Sequence, residues 1–121
     1  MQDSLVVGIE NEQRFEVKAD MVPGHIDAQV LSTPAMIQMI ESACLLCSKP
    51  HLEGKDVTVG THICVSHAGG AFVGETVEVS CRLKEINKRR LLYDVEVKSP
   101  RGSISTGTHE RAVVDPDRLK K

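Results

Sequence analysis

Between Thr33 and Ser48 the chain reads TPAMIQMIESACLLCS, and Glu41 is the only charged residue in that stretch. At helical spacing its apolar side chains cover most of the circumference. A helix of that kind is enclosed rather than laid on a surface. In a chain of 121 residues, what surrounds it must be the remainder of the same fold. Thr33 has the chemistry of an N-cap. Pro34 follows where the first helical N–H has no intrahelical acceptor, so a helix is predicted over 34–48, closed by Pro50.

The surrounding segments alternate with a period of two, as half-buried strands do. RFEVKAD (14–20) sets Phe15, Val17 and Ala19 against charges. MVPGHIDAQVLS (21–32) contains Pro23 and Gly24 and reads as an irregular connection. Further strands are predicted over 57–67, 75–86, 91–99 and 103–114, with polar turns at NKRR and SPRG. The expectation is an α+β fold in which an antiparallel five-stranded sheet wraps around one long central helix. With no repeat or break in composition, residues 1–121 are expected to form one domain. Such a sheet leaves edges to be covered, and a homodimer is the economical solution.

Composition removes several classes of function. Net charge is −2, and Phe15, Phe72 and Tyr93 are the only aromatics, which leaves no footprint for nucleic acid or an anionic membrane. No run approaches the roughly 20 apolar residues of a membrane span, and the N-terminus has no signal-peptide pattern. A cytoplasmic location is expected, with Cys44, Cys47, Cys64 and Cys81 reduced.

VGTHICVSH (59–67) raises the question of a zinc site. Strict alternation puts Val57, Val59, Thr61, Ile63, Val65 and His67 on one face, and Thr58, Gly60, His62, Cys64 and Ser66 on the other. His62 and His67 then point apart, and no metal site is expected. His67 closes the apolar row before Gly69-Gly70; it is either a satisfied strand-end histidine or a pocket residue. Glu41 emerges among Ile37, Cys44 and Leu45. A carboxylate there needs a partner or a raised pKa unless it reaches solvent at the helix margin. Thr33 and Glu41 lie about 12 Å apart along a helix axis, so a shared reaction centre would need two subunits or a bridging substrate. CLLC (44–47) reads as small buried hydrophobes. Lys88, Arg89 and Arg90 read as a solvated turn, with ligand phosphates as the other use. His109 and Arg111 share a face of the last strand and read as an edge or interface pair.

Taken in order and spacing, TPAMIQMIESAC, VGTHICVSH and GTHERAVV resemble the hotdog-fold thioesterases, and within them the fluoroacetyl-CoA thioesterase-like group. The threonine stands eight before the glutamate and the histidine 26 after it. The resemblance implies hydrolysis of an acyl-CoA thioester by Thr33, Glu41 and His67, with Gly60 approaching the substrate carbonyl. It also implies a dimer with two sites at the subunit interface, and neither metal nor prosthetic group. CoA phosphates would lie near Lys88, Arg89 and Arg90, and pairing of dimers into tetramers stays open. Aromatic residues form a lid before the helix in the fluoroacetyl-selective enzyme. The corresponding segment here is short and has none, so thioester hydrolysis carries over and fluoroacetyl selectivity does not. The alternative is a non-catalytic acyl-CoA-binding sensor or carrier of the same fold; a hotdog dehydratase or isomerase acting on the acyl chain is a further rival.

Overall fold

The sequence folds into one helix, α1 (Thr33–Ser48), and five strands: β1 (Glu10–Glu16), β2 (Val57–Val65), β3 (Thr76–Asn87), β4 (Arg90–Ser99) and β5 (Gly102–Val114). The computed structural model describes residues 1–120. All strand pairs are antiparallel, in the order β1-β3-β4-β5-β2. The sheet wraps the helix, which is the α+β hotdog arrangement expected from the sequence.

Its core follows directly from the alternation. Val77, Val79, Cys81 and Leu83 of β3 and Leu91, Tyr93, Val95 and Val97 of β4 turn inward onto Met36, Ile40, Ala43, Cys44 and Cys47 of α1. Each large apolar side chain buried this way contributes about 1.5–3 kcal/mol, so the central strands and the helix hold one another in place. The two cysteines of CLLC serve as small core residues. Cys81 meets them from β3, with its Sγ 3.6 Å from the Ala43 carbonyl. Contact with Cys44 and burial push the Cys81 thiol up to about 12. Tyr93 brings its hydroxyl into the same region, where burial raises its pKa.

Four features differ from the sequence reading. The first strand runs over Glu10–Glu16 rather than 14–20, because its inward positions include the polar Asn11 and Gln13, which mask the alternation. Asn11 is nevertheless satisfied, its Nδ2 donating to the Ala43 carbonyl at 2.9 Å. Ala19 falls in a one-turn 3-10 segment instead. Second, the N-cap of α1 is Ser32, whose hydroxyl accepts from the Ala35 N–H at 3.3 Å. Thr33 is thereby released from capping.

Third, β2 is not strictly alternating. Its register against β5 shifts between Gly60 and His62. Before that bulge Thr58 and Gly60 face inward; after it Ile63 and Val65 do. A bulge inserts one residue and exchanges the faces, which periodicity in a single strand does not reveal. His62 and His67 both follow the bulge, so they still diverge. Fourth, α1 is not fully enclosed: Leu45 and Leu46 are 37% and 41% exposed, on a side the sheet of one chain leaves uncovered.

The cap reassignment is testable. Ser32→Ala should lower the unfolding free energy by about 1 kcal/mol, as loss of a serine cap does. Thr33→Val should leave the denaturant midpoint in place and show its effect in activity. Equal destabilisation by both would return the cap to Thr33.

Candidate active site

The released Thr33 side chain turns toward the end of β2. Its Oγ1 lies 2.7 Å from His67 Nδ1. The pair opens onto a cleft of about 370 Å³, lined by Pro23, Val30, Leu31 and the Ala68–Gly70 turn. Two features fix the pair: the first turn of α1, set by the Ser32 cap, and the return of the chain after β2, where the Ala68 N–H donates to the Ile104 carbonyl at 2.8 Å. The loop that follows is clamped. Arg101 holds Glu75 through Nη1 and Nη2 at 2.8 and 2.7 Å, donates to the Gly70 carbonyl at 3.0 Å, and lies over the Phe72 ring. The guanidinium beside it holds the Glu75 carboxyl well below the usual range, at about 2.

Glu41 lies elsewhere in the same chain. It faces the beginning of β2, where a Cβ placed on Gly60 would come within 3.3 Å of Glu41 Oε2 and 3.3 Å of His109 Cε1. Glycine is what lets backbone, carboxylate and imidazole approach so closely. Glu41 Oε2 is 3.6 Å from Arg111 Nη1. Its side chain is 45% exposed, on the uncovered side of the helix, whereas that of Arg111 is only 4% exposed. Gly60 and His67 are roughly 20 Å apart at the rise of a strand, so within one chain the Thr33–His67 pair and the Glu41–Gly60 group are separate.

Of the residues singled out in the sequence, Thr33 joins His67 and Glu41 joins Gly60. The basic turn joins neither directly. Lys88 occupies the β3–β4 hairpin with φ 57°. Arg89 donates to Asp56 at 3.1 Å and to the Val113 carbonyl at 2.9 Å. Arg90 pairs with Glu110 at 3.2 Å, and Glu110 also accepts from the Thr61 hydroxyl at 2.5 Å. Two of the three cations are therefore already engaged by carboxylates.

Of the residues that organise Glu41, the sequence reading took His109 and Arg111 as an edge or interface pair and gave Thr58 no role, whereas all three lie inside the single chain. Thr58, His109 and Arg111 are buried at the junction of β2 and β5. Arg111 donates from Nε to Thr58 Oγ1 at 2.8 Å and from Nη2 to the Thr58 carbonyl at 3.0 Å. The available signal was the pairing of two ionisable residues on one strand face in GTHER. Their inward direction depends on β5 register, which places Arg111 opposite Gly60.

The chain resembles known proteins over most of its length. The family model of the fluoroacetyl-CoA-specific thioesterases matches residues 11–117. A fluoroacetyl-CoA thioesterase of Streptantibioticus cattleyicolor is 37% identical over 86 residues, which span 71% of this chain and 62% of that relative. The solved structure of the fluoroacetyl-CoA thioesterase FlK superposes with a TM-score of 0.92 at 30% identity, covering 97% of this chain and 93% of that one. A point variant of FlK in complex with fluoroacetate and CoA gives 0.89 at 30% identity, over 96% and 100% of the two chains. A thioesterase superfamily member from Thermus thermophilus shares the fold, at 22% identity and a TM-score of 0.88 over 95% and 88% of the chains.

Proposed function

The chain belongs to the fluoroacetyl-CoA-specific thioesterase family, and from that premise we propose that it hydrolyses a small or medium acyl-CoA thioester to the free acid and CoA. The observation that carries this reading is the Thr33–His67 pair, a hydroxyl and an imidazole 2.7 Å apart in an open cleft. An imidazole both accepts and donates a proton, and so can move the protons that thioester cleavage requires.

The second half of the chemistry would come from another copy of the chain. Strand β2 ends the sheet, and its outer edge has no strand partner among the described residues. Antiparallel pairing of two such edges about a twofold axis sets the Gly60 end of one chain beside the His67 end of the other. Thr33 and His67 then face Glu41 of the partner subunit, and the same contact covers the open side of α1. Each dimer has two such sites. Glu41 either deprotonates a water that adds to the thioester carbonyl or attacks that carbonyl itself. In both routes the carbonyl oxygen gains negative charge, which a backbone N–H near Gly60 is placed to stabilise. The C–S bond then breaks, and the departing CoA thiolate takes a proton from the His67 imidazolium. In the first route the proton that Glu41 took from water restores the imidazolium. In the second, water cleaves the Glu41 acyl anhydride, releasing the acid and supplying that proton. Thr33 holds the imidazole in orientation. Phosphates of CoA would run toward the β3–β4 hairpin, where Lys88 has no carboxylate partner among the described residues.

The segment ahead of α1 carries no aromatic side chain. Phe72, which bridges to Val30 through the backbone, lies under Arg101. The acyl group is accordingly met by Val30 and Leu31 rather than by an aromatic lid, which favours acyl groups other than fluoroacetyl.

A free-thiol assay across an acyl-CoA panel tests the reading. Catalytic release of CoA, many equivalents per chain, is expected. The protein adds only a fixed background, since Cys64 alone of its four cysteines is exposed. Saturable binding without thiol release would replace the hydrolase with a sensor or carrier. Release of no thiol alongside an altered acyl chain would indicate a dehydratase or isomerase.

A further inference from the structure

Arg111 is the one cation in contact with Glu41, and its orientation depends on a residue the proposed chemistry does not use. His109 is 1% exposed, on β5 two residues before Arg111. Its Nδ1 lies 2.8 Å from the His62 carbonyl oxygen. A carbonyl only accepts, so Nδ1 carries a proton and donates. Its Nε2 lies 3.1 Å from Arg111 Nη1, and a guanidinium only donates. Nε2 must therefore present its lone pair. Two obligate neighbours, one on each nitrogen, define a single state of the ring: neutral, with the proton on Nδ1.

We propose that His109 is a positioning residue for thioester hydrolysis, a neutral imidazole whose Nε2 fixes Arg111 Nη1 so that the guanidinium holds Glu41 in place. This rests on Glu41 acting in the reaction proposed above. The remaining donors of Arg111 are anchored on Thr58, through Nε and Nη2. Nη1 is the end that faces both His109 and Glu41, and without an acceptor at Nε2 nothing sets its direction on the His109 side. Protonation would place an N–H against an N–H and a second cation beside the first.

The surroundings oppose that protonation. Burial is the main cause that keeps the His109 pKa below its usual value, and the Arg111 cation adds to it. The His62 carbonyl, Glu41 and Glu110 act in the opposite direction. These come from β2, α1 and β5; from β4 the neighbour is Tyr93, which pairs with His109 across the strands. A histidine with a lowered folded pKa contributes stability above its unfolded pKa of about 6.5, and that contribution declines as pH falls through it.

Nitrogen-15 NMR of the intact protein labelled at histidine reads the ring state directly, with the His109 signals assigned by their loss in His109→Gln. The expected result is a neutral ring protonated at Nδ1 at pH 7. An Nε2-protonated or doubly protonated ring would overturn the proposal. In kinetics, His109→Phe keeps the ring bulk and removes the acceptor; it should lower kcat about tenfold or more with little change in KM. His109→Gln retains an acceptor oxygen and should recover most of that loss. A folded His109→Phe with wild-type kcat, or a Gln variant no better than Phe, would overturn it as well. The NMR measurement uses resting protein without substrate. A chain that hydrolysed no thioester would therefore defeat the thioesterase reading, whereas the wrong ring state would defeat the His109 assignment alone.

Discussion

Glu41→Ala and His67→Ala should each lose about a thousandfold or more in turnover, and an equimolar mixture of the two, refolded together, should regain about a quarter of wild-type activity. The recovery follows from the separation of the half-sites within one chain. When the variants are unfolded together and refolded, about half the dimers contain one of each. In such a dimer one site has lost both groups. The other keeps an intact Glu41 from one chain and an intact His67 from its partner. Half the dimers with half their sites working gives the quarter. Inactive mixed dimers, shown by mass to contain both variants, would put the two residues to work within one chain and remove the shared site. Wild-type turnover in either single variant would remove the mechanism itself.

Gly107→Ala should be the most damaging single methyl group in the fold. A Cβ at that position would fall on the Cys64 carbonyl oxygen and within 2.8 Å of the Val65 Cα. Both are backbone atoms of β2, which cannot rotate aside as a side-chain tip does. The strand pair has to separate. A cost of about 3 kcal/mol or more is expected, as for severe overpacking, with a fall in Tm of about 10 °C by differential scanning calorimetry. Because β2 carries Gly60 at one end and leads into His67 at the other, activity should fall with stability. A Gly107→Ala protein with an unchanged Tm would show that β2 and β5 are less closely apposed than described.

Much of the fold was legible because its core strands obey one rule over most of their length. From Val77 to Leu83 and from Leu91 to Val97 every inward position is apolar or, at Tyr93, aromatic, and only Ser99 at the end of β4 is buried and polar, so alternation located both strands to within a residue or two. The helix was legible for the opposite reason, that it has almost no polar face. β1 was displaced by four residues because Asn11 and Gln13 look outward-facing by type while they point inward. The bulge in β2 left no mark in the sequence, since Gly60, Thr61 and His62 fit either face equally well. It is set by pairing with β5, a partner some fifty residues away.

The candidate site divides the same way. His67 and Glu41 stand out as polar groups at the end of an apolar row and on an apolar helix. Thr33 was misread as a cap because Ser32 beside it is an equally good one, and only the hydrogen bond to the Ala35 N–H separates them. Arg111 and His109 were read as an edge or interface pair because burial of a cation is not visible until its partners are. Those partners, Thr58 and the His62 carbonyl, belong to another strand. Arg89 and Arg90 looked free for the converse reason: Asp56 and Glu110, which engage them, are remote in the chain.

The three cysteines that join α1 to the sheet give the molecule an internal record of its own opening. Cys44, Cys47 and Cys81 are sealed and Cys64 is not. A thiol reagent in native buffer consumes Cys64 at once and the others only as fast as the helix leaves its seat. The rate of that slow labelling is the frequency of a motion that no steady-state assay registers.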